Sequence, residues 1–141
     1  MWQIKVKKLD PQALMPSKGS SGAACWDIYA LEDTELKVRS VTMVRTGLAV
    51  EVPRGFFLDI RPRSGLSNKI RVANAPGTLD SDYRGEMLVM LCANDYEREF
   101  IKKGDRIAQV RLERENKIEW VEVEELSPSR RGSKGFGSTG R

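Results

Sequence analysis

Along this chain apolar and polar residues alternate in short runs, and a sustained i, i+3, i+4, i+7 stripe is hard to find. In Trp2-Gln3-Ile4-Lys5-Val6-Lys7 the apolar side chains fall on one face of an extended strand. Glu35–Arg39, Gly47–Val52, Phe56–Ile60, Met87–Leu91 and Ile107–Leu112 read in the same way. Ala24–Ala30 is a further apolar strand, interrupted by Asp27. Turn formers separate the runs: Pro53-Arg54-Gly55, Pro76-Gly77 and Lys103-Gly104-Asp105. A helical turn or short helix is expected only over Ser64–Lys69 and Tyr96–Ile101. Many short strands at roughly even spacing predict an all-β domain with a jelly-roll-like architecture.

At 141 residues the chain is one folding unit, too short for two well-cored domains. With 40% hydrophobic and 31% charged residues it can bury a core and stay in solution, which excludes wholesale disorder. No stretch approaches the roughly 20 apolar residues of a membrane span, and MWQIKVKKLD lacks the apolar run of a secretory signal. The expectation is a cytoplasmic protein with no membrane partner. Cys25 and Cys92 are too far apart for a CxxC pair and read as reduced core residues.

Histidine is absent, and this restricts the chemistry more than any other feature of composition. It excludes Ser-His-Asp and Cys-His catalysis and removes the usual nitrogen ligands of zinc. A general base must then be a carboxylate, a lysine or a tyrosine. Any metal is most simply a hard ion held by oxygen, such as magnesium.

The net charge is +4, and all of it falls in the last 15 residues, where Arg130, Arg131, Lys134 and Arg141 stand without an acid. That segment also holds four Gly, four Ser and one aromatic, so it cannot bury enough surface to fold alone. The chain accordingly divides into a β-rich core, residues 1–126, and a flexible C-terminal segment, residues 127–141. The tail is either a frayed end or a piece that orders on a ligand or a neighbouring subunit.

Five segments have compositions that core formation does not explain. Asp27, in its apolar strand, needs partners: a structural arginine or the water shell of a metal. In Arg61-Pro62-Arg63-Ser64-Gly65-Leu66-Ser67, a guanidinium, a hydroxyl and free backbone N–H groups suit phosphate oxygens, although a capped turn with a solvated arginine reads equally well. Within Asn74–Glu86, the stretch Asp80–Arg84 packs two carboxylates, a tyrosine and an arginine beyond a turn, more than a hairpin tip requires. In Gly104–Val110, Gln109 either satisfies core backbone or reaches a ligand. In Arg131–Gly140, glycines around Phe136 let its ring lie over a flat ligand while Arg131, Ser138 and Thr139 meet anionic oxygens.

Together and in this order, these segments resemble the five motifs of the homotrimeric deoxyuridine triphosphatases (dUTPases). The most specific pieces are PRSGLS at Pro62–Ser67, GTLDSDYRGE at Gly77–Glu86, GDRIAQ at Gly104–Gln109 and RGSKGFGSTG at Arg131–Gly140. The resemblance spans roughly Ala24 to Gly140. It implies hydrolysis of dUTP to dUMP and pyrophosphate with magnesium, by a trimer whose sites lie between subunits, with no specific nucleic-acid partner. Asp80 would be the base that activates water. Asn74 and the backbone at Thr78 and Leu79 would read the uracil edge, and Tyr83 would pack on the deoxyribose and exclude a 2′-hydroxyl. Arg63, Ser64, Gly65 and Gln109 would hold phosphate oxygens, with Asp27 supporting the metal through water. From the tail, Phe136 and Gly137 would cover the uracil while Arg131, Ser138 and Thr139 closed over the terminal phosphates, Arg131 as an arginine finger.

Three positions depart from the family pattern: Cys25 and Lys134 stand where many members have glycine, and Leu79 replaces the commoner isoleucine. Two other readings compete. A dCTP deaminase would share the fold, but no segment resembles that group's motif. A non-catalytic nucleotide or nucleic-acid binding module would show several exposed aromatics among its basic residues, and the tail has one.

Overall fold

The computed structural model describes residues 1–94 and 96–140; Arg141, the last basic residue of the expected tail, lies outside them. Ten strands follow one another: β1 (Lys5–Lys8), β2 (Trp26–Tyr29), β3 (Thr34–Leu36), β4 (Thr42–Glu51), β5 (Phe56–Arg61), β6 (Ile70–Val72), β7 (Gly77–Leu79), β8 (Glu86–Ala93), β9 (Glu99–Ile101) and β10 (Arg106–Arg114). They form one four-stranded sheet in the order β1-β4-β8-β6, a second in the order β2-β10-β5-β7, and a β3-β9 ribbon. All the strand pairings are antiparallel. No α-helix occurs among the described residues. The expected all-β, jelly-roll-like domain is what forms.

Period-2 patterning explains why the two sheets stack. On β8, Met87, Val89 and Leu91 are buried while Glu86, Leu88 and Met90 are partly exposed. The buried set meets Val44 and Leu48 of β4, Leu58 and Ile60 of β5, and Ala108 and Val110 of β10 in one apolar cluster. Burying a side chain of this size contributes about 1.5–3 kcal/mol, so this shared face dominates the stability of the domain. The β4–β8 ladder shifts register between Arg45 and Ala49. Gly47 lies in that bulge at φ +70°, and a Cβ there would come within 2.9 Å of the Ala13 Cβ.

Two expectations about local structure change. The Tyr96–Ile101 segment supplies strand β9 rather than a helical turn, because Ile101 is buried opposite Thr34 and ribbon pairing with β3 outweighs local preference. The strand expected over Glu35–Arg39 stops at Leu36; Val38 makes one bridge to Ala93, and Arg39 turns away at φ +55°. Ser64–Lys69 forms the expected helical turn, with Leu66 N–H donating to Arg63 O at 3.1 Å and Ile70 N–H to Leu66 O at 2.8 Å, and does not extend into a helix.

Beyond Arg114 the chain leaves the sheets. Residues 116–126 are exposed throughout, including Ile118, Trp120, Val121, Val123 and Leu126, with Trp120 at 90% exposure. No described helix is long and apolar enough to cross a membrane.

Candidate active site

Strand β2 lies at one edge of the second sheet and carries Asp27, only 8% exposed. Its backbone is held on the open side by Ser17, which exchanges N–H···O bonds with it at 2.7 and 3.1 Å. Across the sheet Asp27 stands opposite Gln109 of β10, which in turn opposes Arg61 of β5. A buried carboxylate needs compensation. It comes from Arg63, whose Nε donates to Oδ1 at 2.8 Å, and from Arg106, whose guanidinium lies 3.7 Å from Oδ2. Of the two partners left open for Asp27, the arginine is therefore present. The Arg63 guanidinium also donates to the Arg106 carbonyl at 3.3 Å, and Gln109 donates to the Pro62 carbonyl at 2.8 Å.

These contacts rigidify a cavity of about 280 Å³ lined by Cys25, Asp27, Arg63, Ser64, Arg106 and Gln109, among others. Two guanidinium groups against one carboxylate leave it net positive, with a hydroxyl and an amide at its wall, which suits an anion. Its volume is at the bottom of the roughly 300–1,000 Å³ range of small-molecule sites, room for a phosphate chain rather than a whole nucleotide. A slightly larger groove of about 350 Å³ lies against β1 and β4. Its walls include Lys5, Lys7, Glu51 and Arg84, and Glu51 is already paired with Lys5 at 2.9 Å, so it offers no base beside an anion site.

The second group of expected site residues lies elsewhere. Strand β7 is the opposite edge of the same sheet, with Gly77, Thr78 and Leu79 paired to Ile60, Asp59 and Leu58. Just before it Asn74 is exposed, its amide set against Gly77, where a Cβ would meet Nδ2 at 3.0 Å. Just after it, a turn closed by Tyr83 N–H donating to Asp80 O at 3.2 Å leaves the Asp80 side chain in solvent. Tyr83 is 41% exposed and its hydroxyl donates to the Glu86 carbonyl at 2.9 Å. Arg84 ties the turn by donating to the carbonyls of Ser81 and Tyr83 at 2.8 and 2.9 Å.

The structure thus unites Asp27, Arg63, Ser64 and Gln109 in one cavity and keeps Asn74, Thr78, Leu79, Asp80 and Tyr83 together in another place. From β2 to β7 there are three interstrand steps of about 4.8 Å each, about 14 Å in all. Gly65 stands exposed beside Ser64, with nothing within 4 Å of a Cβ built on it.

The described residues of the tail, 127–140, join neither group. Arg131, Gly137, Ser138 and Thr139 are exposed and Phe136 is fully so. The tail's hydrogen bonds are local: Arg131 Nε to the Lys134 carbonyl at 2.7 Å, Ser138 N–H to Gly135 O at 3.2 Å. Phe136 adopts φ +48° beside Gly137 at φ +88°, a kinked backbone that throws the ring outward.

Two residues escaped the sequence reading. Arg106 completes the charge around Asp27; its signal is its place in GDRIAQ, three positions before Gln109. Glu86 ends GTLDSDYRGE and accepts both the Tyr83 hydroxyl, on its carbonyl, and the Gly47 N–H at 2.8 Å, on its carboxylate.

Comparison with known proteins bears directly on these two clusters. The dUTPase family model matches residues 12–140. A deoxyuridine 5'-triphosphate nucleotidohydrolase of Helicobacter hepaticus is 47% identical over 139 residues, covering 97% of this chain and 88% of that protein. One from Nautilia profundicola is 46% identical, covering 99% of each. Among solved structures, the Staphylococcus bacteriophage 80alpha dUTPase with dUpNHpp superposes with a TM-score of 0.89 at 29% identity, over 99% of both chains.

Proposed function

The chain belongs to the dUTPase family and hydrolyses dUTP to dUMP and pyrophosphate; we propose that it does so at composite sites shared between the subunits of a homotrimer. The observation that carries this reading is the separation of the two clusters on opposite edges of one sheet. A cavity with two arginines in its wall lies on one edge and a turn bearing an amide, a carboxylate and a tyrosine on the other, and the cavity wall includes none of the turn's groups. Paired across subunits, they make a whole site. The exposed apolar side chains of residues 116–126 support association as well, since a run containing Ile118, Trp120, Val121 and Val123 needs a partner surface.

Each residue then has a role. Arg63, Ser64, Gly65 and Gln109 hold the phosphate chain in the cavity, with Arg106 beside them. Asn74 and the backbone of Thr78 and Leu79 read the uracil edge, and Tyr83 packs on the deoxyribose. Asp80 orients a water molecule and accepts its proton as the oxygen bonds to phosphorus and pyrophosphate departs. In a chain without histidine, an exposed carboxylate on a hydrogen-bonded turn is well suited to this work. Residues 127–141 form a lid on the core of residues 1–126. Phe136 and Gly137 lie over the base, Ser138 and Thr139 reach the terminal phosphates, and Arg131 counters charge developing on them. Closure also excludes bulk water.

Magnesium suits this donor set in one way. Among the described residues no three carboxylate, thiol or imidazole groups converge, and Asp27 already accepts from Arg63. The ion would be held by the triphosphate and its own waters, Asp27 touching one of those waters. When bound it would neutralise phosphate charge and strengthen the electrophile. The two free cysteines, Cys25 and Cys92, accord with a reducing, cytoplasmic address. Neither a deaminase nor a pure binding module finds support in the family match.

The test is Asp80→Asn. Turnover of dUTP should fall by about 10²–10⁴ while affinity for the non-hydrolysable dUpNHpp and the melting temperature hold. Near-normal turnover would remove Asp80 as the base.

A further inference from the structure

Tyr83 is only as selective as it is fixed, because a wall that yields by an ångström admits one more hydroxyl. The Tyr83 ring is 41% exposed. It lies on the backbone of Gly85, close enough that a Cβ at that position would stand 2.6 Å from Cζ and 3.0 Å from Cε2. Real carbon contacts are about 3.5–4.0 Å. No side chain fits at 85 unless the ring moves by about 1 Å, whereas the comparable contact at Gly77 is with the free end of the Asn74 amide, which can swing aside.

The tip of the ring is fixed as well. Its hydroxyl donates to the Glu86 carbonyl at 2.9 Å, and Glu86 is tied into the β4 bulge by its own carboxylate, which accepts Gly47 N–H at 2.8 Å and Arg45 Nε at 3.2 Å. That side chain is 18% exposed. Gly47 cannot shift, because Ala13 and Leu31 fill the space where its Cβ would be. A chain of contacts therefore runs from the buried bulge through Glu86 to the phenol.

We propose that Gly85 and Glu86 are positioning residues for sugar selection: Gly85 seats the Tyr83 ring, Glu86 pins its hydroxyl to the β4–β8 ladder, and together they set the preference for a 2′-deoxy over a ribose nucleotide. The inference rests on the reading of Tyr83 as the wall beside the sugar. Gly85 is exposed, so an alanine there disturbs the ring without costing the core.

The measurement is kcat and KM for dUTP and for UTP in the full-length protein and in Tyr83→Ala, Tyr83→Phe, Gly85→Ala, Glu86→Gln and the double variant Gly85→Ala/Tyr83→Ala. Gly85→Ala should lower the dUTP-to-UTP ratio of kcat/KM by about tenfold or more, in line with the loss of a steric contact in a specificity pocket. Tyr83→Phe and Glu86→Gln should lower it less. In the Tyr83→Ala background, Gly85→Ala should change nothing further, since its action passes through the ring. If Tyr83→Ala collapses the ratio but Gly85→Ala leaves it intact, the positioning role is wrong and the wall survives. If Tyr83→Ala leaves the ratio intact, the wall falls and the positioning role with it. An equal loss of activity toward both nucleotides in Gly85→Ala, with the ratio unchanged, overturns the proposal in favour of a merely structural glycine.

Discussion

The cavity around Asp27 and the C-terminal segment use the same chemical groups, guanidinium, hydroxyl and backbone N–H, and are built in opposite ways. Arg63 has a side chain 21% exposed, and its Nε is held 2.8 Å from a buried carboxylate. Arg131 has an exposed side chain whose Nε reaches only the Lys134 carbonyl, within its own segment. The first arginine lost its rotamer freedom when the domain folded. The second, as the proposed lid, would lose it on substrate binding, at about 1.5–2 kcal/mol for a long side chain. In the reading proposed above, phosphate oxygens would meet a preorganised cavity first and would then draw the tail over the site, so that arrival and commitment are separated and the lid excludes water without obstructing entry.

That contrast can be broken in several places. The largest effect belongs to removal of residues 129–141. Calorimetry should find the melting temperature unchanged and light scattering the same oligomer, while kcat falls by about 10³ or more, as for loss of an arginine finger. Full activity in the truncation would refute the lid.

Single arginines sharpen the same point. Arg63→Ala should weaken nucleotide binding and also destabilise the fold by about 3 kcal/mol, because it leaves Asp27 buried with only the more distant Arg106. Arg131→Ala should lower kcat with no change in denaturant midpoint. Equal stability losses in the two variants would mean that the tail is packed in solution and the contrast is false.

The smallest effect lies outside both regions. The Glu51 carboxyl is held below the ordinary value of 4.5 chiefly by its hydrogen bond to Lys5, with Arg84 adding a weaker pull. A carboxylate lowered in the folded state stabilises it above the unfolded value, and that contribution is lost as pH falls through the folded one. Lys5→Ala should raise the Glu51 titration midpoint followed by NMR and leave dUTP turnover unaltered. A change in turnover would tie the β1–β4 groove to the active site.

Much of the fold is legible in the sequence. Alternation in Phe56–Ile60, Met87–Leu91 and Ile107–Leu112 marks strands because a pleated chain shows alternate faces to core and solvent. The three-residue strands β6 and β9 carry too few residues for a period to register, and they pair only because β8 and β3 present free edges. Among site residues, Asp80, Tyr83 and Arg63 stood out by type and motif. Arg106 and Glu86 did not, since each acts through a partner remote in sequence: Asp27 for one, Gly47 for the other.

A histidine-free composition that leaves the base to a carboxylate, a lysine or a tyrosine, an acid-free basic tail and the order of the motifs are properties of the linear chain, and they were enough to indicate the chemistry. Which edge of a sheet each motif occupies is not such a property. Arg63 meets Asp27 across 36 positions, and Gly47 meets Glu86 across 39, because interstrand pairing places them side by side. The free energy of those contacts comes from burial and hydrogen bonding between strands that carry no local mark of one another. For that reason the placing of the two clusters on opposite edges, and the anchoring of Glu86 at the β4 bulge, emerge only when the sheets have closed.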